Sequence, residues 1–360
     1  MTHLNEELLA RIRADIASAG GWIGFDRFMQ HALYAPGLGY YANDLRKLGA
    51  MPASGSDFVT APELSPVFGE VLAVQVREAL DATGTDEVWE FGAGSGQLAA
   101  QVLGALGARV RRYTIVDVSS SLRQRQRERL AAVGDQVAWA DRLPEAIEGV
   151  VLGNEVLDAM PVRLLHRGTG VWRERGVAVS GTGFAWSDRP TELRPPLEIE
   201  GGHDYLTEIH PQAEGFVRTL GQRLARGAAF LIDYGFPEAE YYHPQRSEGT
   251  LVCHRAHHMD TDPLADVGLK DITAHVNFTG VAVAAQEAGL NVLGYTSQAR
   301  FLLNNGLLEK TELLATAGQA LALKLVLEHE MGELFKVLAV GPGPVWQPRG
   351  FAQGDRTHRL

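Results

Sequence analysis

The feature that most constrains the fold is a glycine-rich turn that joins a predicted strand to a predicted helix. The turn reads Glu90-Phe91-Gly92-Ala93-Gly94-Ser95-Gly96-Gln97-Leu98, and it follows the apolar pair Val88-Trp89. A strand, a glycine turn and a helix in this order form the first unit of a nucleotide-type α/β sheet. Glycine lets the backbone pass close to a ligand without an intervening side chain. We therefore expect an α/β fold with a Rossmann-like sheet.

The carboxylate of Glu90 indicates which ligand the turn suits. Glu90 ends the predicted strand two residues before Gly92. A dinucleotide would bring its pyrophosphate to the N-terminus of the next helix, where the helix dipole favours negative charge. An acid at the mouth of the turn opposes that anion and suits a ligand with an ammonium and a sulfonium group. The turn therefore predicts S-adenosylmethionine as the ligand. The alternatives are a dinucleotide or a purely structural turn. The residues of this segment that are expected to hold the cofactor are Glu90, Gly92, Gly94, Gly96 and Leu98.

Length and charge exclude several classes of protein. The chain has 360 residues, enough for a large α/β domain with insertions. Its 33 basic and 44 acidic residues give a formal net charge of −11, which argues against nucleic-acid or anionic-membrane partners. Cys253 is the single cysteine, so an intrachain disulfide or a cysteine-based zinc site is excluded. The apolar runs are too short for a signal peptide or a membrane span, which predicts a soluble protein.

Alternating strand and helix signals divide the chain. Five strands are expected first, at Val88–Phe91, Arg112–Val116, Gln136–Trp139, Gly149–Leu152 and Ala228–Ile232. The predicted organisation is a helical N-terminal extension or lid over residues 1–85, a cofactor-binding core over 86–160 and 226–345, β-rich insertions over 161–225 and 237–271 that form a substrate region, and a flexible tail over 346–360. A further helix is expected at Leu313–Leu327.

Polar residues follow three of the predicted strands. In an open parallel sheet, ligands bind beyond the carboxyl ends of the strands. Asp117 ends the second strand and is placed for the ribose hydroxyls, although it could also cap the following helix. Asp141 follows the third strand and could receive the adenine amino group, or it could be an ordinary loop acid. Asn154 follows the fourth strand and extends the same row of candidate cofactor ligands.

Two acids near the end of the fourth strand are candidates for the reacting centre. Glu155 and Asp158 lie three residues apart, and paired carboxylates suit the planar fork of a guanidinium. One of them could instead cap a short helical turn. His275 is a candidate base or orienting group, with a satisfied core histidine as the alternative. A cluster of histidines and acids could suggest a metal site, because His254 and His258 would share one face of a helix. We interpret this segment as a polar loop instead, so no metal site is predicted. The cluster consists of His254, His257, His258, Asp260 and Asp262.

Several stretches together resemble the MidA-type methyltransferase family, whose mitochondrial members are arginine methyltransferases that assist respiratory complex I assembly. The resemblance runs from about residue 20 to about residue 340. It is carried by Met29–Tyr41, Asp57–Gly69, Glu90–Leu98, Ser120–Gln124, Gly153–Val162, Ile232–Gly235, Asp271–Phe278 and Phe335–Leu338. The D-F-V-T-A-P-E-L-S-P and N-E-V-L-D-A-M-P stretches are the most specific of these.

The resemblance implies a Rossmann-like class I methyltransferase with an added substrate region, S-adenosylmethionine as donor and a protein arginine as acceptor. By the same resemblance, Asn154, Glu155 and Asp158 would face the reacting centre, and the loop that begins at Thr60 would help to close the pocket. Because no transit-like leader precedes Met29, the chain resembles a bacterial, cytoplasmic member.

The resulting hypothesis is an S-adenosylmethionine-dependent methyltransferase that acts on a protein arginine. The alternatives are a small-molecule O- or N-methyltransferase and an assembly chaperone that binds the cofactor without turnover. The expected partner is the acceptor, protein or small molecule; a homodimer is compatible with the sequence, and no nucleic-acid or membrane partner is expected.

Overall fold

The computed structural model describes residues 3–43, 59–117, 119–255 and 258–360. Asp57 and Phe58 of the most specific predicted motif, and His257 of the histidine cluster, lie outside these ranges.

Helices and strands alternate through most of the chain. The helices are α1 (His3–Ser18), α2 (Phe25–Tyr34), α3 (Ala61–Leu64), α4 (Pro66–Thr83), α5 (Gln97–Leu106), α6 (Ser120–Arg129), α7 (Pro211–Arg223), α8 (Glu238–Tyr241), α9 (Phe278–Glu287), α10 (Gln298–Asn304), α11 (Leu307–Thr311) and α12 (Thr316–Lys324). The strands are β1 (Ile23–Gly24), β2 (Glu87–Phe91), β3 (Arg112–Val116), β4 (Val137–Ala140), β5 (Ile147–Asn154), β6 (Arg163–Gly168), β7 (Val171–Ser180), β8 (Gly183–Pro190), β9 (Tyr205–Ile209), β10 (Leu224–Phe236), β11 (Val252–Arg255), β12 (His258–Asp260), β13 (Asp271–Thr273), β14 (Val276–Asn277), β15 (Asn291–Ser297) and β16 (Phe335–Gly341).

The largest sheet is the predicted Rossmann-like sheet. Its strand order is β15-β16-β10-β5-β2-β3-β4, with β14 beside β10. Strands β10, β5, β2, β3 and β4 are parallel, whereas β16 and β15 run antiparallel at one edge. The central parallel strands β2, β5 and β10 are mostly apolar and buried, as expected for a sheet that is covered by helices on both sides. The predicted fold class is confirmed.

Separate hydrophobic cores cover the two faces of this sheet. One core brings together α4, α5, α10 and α11, with Phe68, Leu72 and Val102 among its buried residues. The other brings together α7 and α9, with Val217 and Val281 at its centre. Helix α4 lies in the predicted N-terminal extension and α7 in a predicted insertion, yet both cover the main sheet. The predicted domain boundaries therefore assign these two helices to the wrong unit. Each helix packs where its apolar face is buried, which is against the main sheet.

A second module lies beside the carboxyl ends of the main sheet. One of its sheets contains β1, β7, β6, β9 and β8, and a smaller one has the order β12-β11-β13. Helices α1 and α2 pack against both sheets in one core, in which Ile12, Phe28, Val177 and Ile272 are buried. The beginning of the chain and the two insertions thus form one unit, since β1 pairs directly with β7.

Three local predictions are corrected by the structure. The helix expected at Leu313–Leu327 is shorter than predicted, because only α12 (Thr316–Lys324) lies within this range. His254 and His258 do not share a helical face, because they lie on the antiparallel strands β11 and β12. The tail predicted to be flexible contains a 3-10 turn at Arg349–Phe351. The side chain of Phe351 in this turn is only 1% exposed. None of the described helices combines the length and the apolarity that crossing a membrane would require.

The packing of the tail can be tested by truncating its buried aromatic ring. Phe351 contacts Phe301, with ring centroids 5.5 Å apart. We expect Phe351→Ala to lower the free energy of unfolding by about 3–5 kcal/mol, because a cavity would replace a buried ring. Val345→Ala is the matched control in the same tail; this side chain is 67% exposed, so a change within about 0.5 kcal/mol is expected. Equal stabilities of the two variants in urea unfolding would show that the tail is loose.

Candidate active site

A cavity of about 980 Å³ opens at the carboxyl ends of the parallel strands. The N-terminal extension, the main sheet and strands β11 to β13 all contribute to its walls. It brings together nearly all of the site residues predicted from the sequence, namely Thr60, Glu90, Gly92, Gly94, Leu98, Asp117, Asp141, Asn154, Glu155, Asp158 and His275. Gly96 lies beside the cavity as the N-cap of α5.

The glycine turn has the backbone shape that only glycine adopts easily. Gly92, Gly94 and Gly96 have φ angles of 61°, 53° and 81°. The turn is held by hydrogen bonds from both its backbone and a side chain: the N–H of Gly92 donates to the Val116 carbonyl at 3.0 Å, and Gln126 Nε2 donates to the Gly94 carbonyl at 3.0 Å. A Cβ atom at Gly92 would lie 3.1 Å from the Val156 side chain, so the turn packs closely against the next strand end.

Glu90 is a buried carboxylate at the start of this turn. It is 2% exposed, and the Tyr113 hydroxyl donates to its Oε2 atom at 2.8 Å. Burial, together with the charge of Asp117, raises the pKa of Glu90 to about 8, against the hydrogen bond from Tyr113. A cation bound in the cavity would favour the ionised form of this group. The observed surroundings of Glu90 therefore fit a positively charged ligand.

The two other predicted cofactor acids differ in their surroundings. Asp117 is 7% exposed; it accepts hydrogen bonds from the Ser119 N–H at 2.9 Å and from Gln126 Nε2 at 2.8 Å. Burial raises the pKa of Asp117. Its role in the start of α6 is thus visible, and its carboxylate also borders the cavity. Asp141 lies at the rim, where its side chain is 76% exposed and pairs with Arg123.

The loop that begins at Thr60 is fastened to the glycine turn. Arg129 Nη1 donates to Glu63 Oε1 at 3.1 Å and to the Ser95 hydroxyl at 3.0 Å. Gln101 of α5 donates to the carbonyl of Pro62 at 2.8 Å. These contacts place Thr60 against the same end of the cavity as the glycine turn.

A family model of S-adenosyl-L-methionine-dependent methyltransferases matches residues 71–296, more than half of the chain. The chain belongs to this methyltransferase family. The family match and the following relatives confirm the resemblance to MidA-type methyltransferases that the motifs indicate.

Solved and curated relatives extend this result. A Burkholderia thailandensis protein, crystallised with S-adenosyl-homocysteine, is 50% identical with a TM-score of 0.95, and the match covers 99% of this chain and 97% of that one. The protein arginine methyltransferase NDUFAF7 of Danio rerio is 28% identical over 94% of this chain and 87% of its own length. The Homo sapiens protein of the same name is 26% identical over 93% of this chain and 83% of its own length. S-adenosyl-L-methionine is the cofactor of this methyltransferase.

Beyond the glycine turn, the methyltransferase holds a tight turn of polar residues after β5. The carboxylate of Asp233, at the end of β10, accepts the N–H groups of Val156, Leu157 and Asp158 at 3.1, 2.9 and 3.2 Å. Its other oxygen accepts the Tyr234 N–H at 3.0 Å. Burial and the charges of Asp158 and Glu155 raise the pKa of Asp233, while the N–H donors favour its ionised form.

This turn presents two carboxyl groups to the cavity. Glu155 has a φ of 53°, a conformation that is uncommon outside glycine and is often found at functional sites. Burial raises the pKa of Glu155 to about 8, with the charge of Asp158 as a further cause. Asp158 is 5% exposed, and burial raises its pKa to about 6, against a hydrogen bond from Tyr234.

Some polar atoms around these acids have no hydrogen-bond partner. Among the described residues, three that line the cavity each carry a buried polar side-chain atom without a hydrogen-bond partner: Asn154 Oδ1, Asp158 Oδ1 and His275 Nδ1. Burying an acceptor without a donor costs roughly 1–3 kcal/mol, so such atoms suit a ligand that brings its own N–H groups.

His275 is a neutral imidazole in an aromatic stack. Its ring lies parallel to Phe236, with centroids 5.2 Å apart, and edge-on to Tyr234 at 5.1 Å. Burial lowers the pKa of His275 to about 4, and the positive charge of Arg246 contributes. A neutral imidazole is compatible with both predicted roles of His275, because it can act as a base or orient a ligand.

Sequence reasoning missed several residues of the cavity wall. Tyr34 and Tyr41 of the N-terminal extension stack 5.6 Å apart, and Tyr41 donates to Asp271 Oδ2 at 2.7 Å. Phe216 of α7 lies edge-on to Phe91 at 5.1 Å. Tyr34, Tyr41 and Asp271 lie within stretches that resemble the family, so these stretches could have indicated them as cavity residues. Nothing in the local sequence pattern indicates Phe216.

The role of Glu90 can be tested by removing its charge. Glu90→Gln keeps an acceptor for Tyr113 but cannot become an anion, so we expect at least about tenfold weaker binding of S-adenosylmethionine, measured by calorimetry. Glu87→Gln is the matched control, since Glu87 begins the same strand and pairs with Arg111 at the opposite end. Unchanged affinity in the Glu90 variant would contradict a cationic ligand at this position.

Proposed function

We propose that this methyltransferase transfers the methyl group to an arginine of a protein. The observation that supports the proposal is the pair of buried carboxyl groups of Glu155 and Asp158 at the cavity, beside side-chain oxygens of Asn154 and Asp158 that have no hydrogen-bond partner. A guanidinium has five N–H donors and no acceptor, and its planar fork binds carboxylates through paired hydrogen bonds. Lysine offers a compact point charge, and a hydroxyl offers one donor, so neither matches these acceptors as well.

The cofactor occupies the half of the cavity that contains the glycine turn. S-adenosylmethionine supplies a methyl group on a positively charged sulfur. In our proposal Glu90 faces its cationic part, Asp117 accepts the ribose hydroxyls and Asp141 lies near the adenine edge. Gly92, Gly94, Gly96 and Leu98 shape the surface beneath it, and Thr60 closes the side that is fastened through Glu63.

Glu155 and Asp158 hold the acceptor guanidinium in line with the methyl group. Positioning of the nucleophile about 3 Å from the methyl carbon supplies much of the rate enhancement. One guanidinium nitrogen gains the methyl carbon as the carbon–sulfur bond breaks and its electron pair stays on sulfur. Glu155 accepts the proton that the nitrogen loses and releases it to water. Asn154 and His275 add acceptors that fix the orientation of the acceptor.

The names of the relatives support arginine as the acceptor. The Danio rerio and Homo sapiens relatives are both named protein arginine methyltransferases, and each match covers more than nine-tenths of this chain. We assign the acceptor-binding role to the module built from the beginning of the chain, β6–β9 and β11–β13, because its N-terminal part and its strands β11–β13 contribute residues to the cavity wall.

A labelling assay tests this function. The purified chain is incubated with methyl-labelled cofactor and a lysate of a strain from which its gene has been deleted, and the labelled protein is hydrolysed to amino acids. The proposal predicts label in methylarginine. Label in small molecules alone would favour a small-molecule acceptor, and tight cofactor binding with no label anywhere would favour a chaperone without turnover.

In the same assay, Glu155→Gln should reduce turnover at least about a thousandfold while cofactor affinity changes less than about threefold, since the amide can neither accept the proton nor pair with the cation. Glu148→Gln is the matched control; Glu148 lies on the same strand, half-exposed and paired with Arg226. Retained turnover in the Glu155 variant would contradict an acceptor held at this turn.

The pH dependence provides an independent test. The pKa values of Asp158 and Glu155 are raised to about 6 and about 8, so both groups carry protons at lower pH and cannot then clamp a cation. We expect kcat/KM to rise between pH 6 and pH 8 and to level off above it, because this ratio reports groups of the enzyme before the acceptor binds. Rates that fall over this interval would contradict the assigned roles.

A further inference from the structure

A glutamine of helix α6, Gln126, is fully buried and has no role in the mechanism above. Its side-chain Nε2 atom donates to the Gly94 carbonyl at 3.0 Å and to Asp117 Oδ2 at 2.8 Å. Its Oε1 atom accepts the indole N–H of Trp139 at 3.0 Å. One side-chain amide therefore joins the glycine turn after β2, the carboxylate after β3 and a residue of β4.

The three partners determine the direction of this amide. A carbonyl and an ionised carboxylate only accept hydrogen bonds, and an indole N–H only donates. An amide turned by 180° would place its oxygen against two acceptors and its NH₂ group against the donor of Trp139. Gln126 is therefore held in one orientation, in which both of its N–H groups face Gly94 and Asp117.

The carboxylate of Asp117 is held through both of its oxygens. Oδ1 accepts the Ser119 N–H at 2.9 Å, and the Ser119 hydroxyl in turn accepts the Leu122 N–H at the start of α6. Oδ2 accepts the hydrogen bond from Gln126. The same helix lies close to the glycine turn, because a Cβ atom at Gly96 would lie 3.4 Å from the Cα atom of Gln126. Helix α6 thus fixes Asp117 and the turn relative to each other.

The residues that Gln126 joins belong to the cofactor half of the cavity. Gly94 and Asp117 border the cavity, as does Asp141, which follows Trp139 by two residues. Strands β2, β3 and β4 are neighbours in the main sheet and run parallel. Ligand contacts from three strands fit one ligand only if their spacing is held by hydrogen bonds and packing behind them. Gln126 supplies such hydrogen bonds.

We propose that Gln126 is a positioning residue for the cofactor, which aims the carboxylate of Asp117 at the ribose hydroxyls and holds the glycine turn at a fixed distance from it. This inference rests on the ribose role proposed for Asp117. Each carboxylate oxygen can accept more than one hydrogen bond, so Asp117 keeps lone pairs for the ligand while protein donors fix its direction. Without Gln126, the Oδ2 atom would lose this donor.

The test compares Gln126→Met with Gln124→Met in the same helix. Methionine is unbranched like glutamine and fills a similar space, but it has no N–H donor. Gln124 is the matched control, because it is an exposed glutamine of α6 that pairs with Glu128. Calorimetry measures the affinity of each protein for two probes, S-adenosyl-homocysteine and its 2′,3′-dideoxy analogue, which has no ribose hydroxyls. The melting temperature is measured in parallel.

The proposal predicts that Gln126→Met binds S-adenosyl-homocysteine at least about tenfold more weakly than the unaltered protein, because a buried hydrogen bond to a charged acceptor is lost. Affinity for the dideoxy analogue should change less than about threefold, since this probe has no hydroxyl for Asp117 to accept. Gln124→Met should match the unaltered protein with both probes.

If Gln126→Met does not fold, Trp139→Phe decides by the same comparison. This variant keeps an aromatic ring in β4 but removes the N–H that Gln126 Oε1 accepts, so the amide is no longer held in one orientation. We expect about threefold weaker binding of S-adenosyl-homocysteine and an unchanged affinity for the analogue.

Three results would overturn the assignment. The first is an unchanged affinity of Gln126→Met for S-adenosyl-homocysteine. The second is an equal loss of affinity for both probes, which would show that Gln126 has a structural role only. The third is equal binding of the two probes by the unaltered protein, which would contradict the ribose role of Asp117 itself. The assay contains no methyl acceptor, so a failure of the arginine hypothesis would leave all of these affinities as predicted.

Discussion

The site depends on one buried carboxylate and the turn that it organises. Asp233 gathers three consecutive N–H groups after β5 and a fourth from its own strand. Hydrogen bonds to a charged acceptor are stronger than neutral ones, so this arrangement can hold Glu155 at its unusual positive φ. The backbone direction imposed there decides where the side chains of Glu155 and Asp158 point. Without Asp233, these N–H groups would be buried without acceptors.

The same turn is where the two modules of the molecule meet. The Ala274 N–H and the Tyr34 hydroxyl both donate to carbonyl groups of this turn, the first from beside β13 and the second from α2. In the proposed arrangement the core supplies the cofactor surface and two acids, and the second module supplies another part of the cavity wall. A methyltransferase sheet is shared by enzymes with many acceptors, so acceptor choice must come from such added walls.

Much of the cofactor half could be predicted from the sequence, because its residues are adjacent in the chain. The spacing of Glu90 and the three glycines predicts both the strand and the turn, and Asp117 follows directly from the next strand. Tyr41 and Asp271 are 230 residues apart and meet only through tertiary packing. Likewise, the burial of Phe351 depends on its contacts with Phe301 and Gly294. The composition of the tail does not reveal these contacts.

We propose that the cavity binds a guanidinium beside the cofactor, between the carboxyl groups of Glu155 and Asp158. The most direct measurement is a crystal structure of the chain with S-adenosyl-homocysteine and acetyl-arginine amide. The account predicts guanidinium nitrogens within about 3 Å of carboxylate oxygens of Glu155 and Asp158, with the sulfur of the cofactor product facing one of these nitrogens. A guanidinium bound elsewhere, or a glycine turn occupied by a phosphate group, would contradict it.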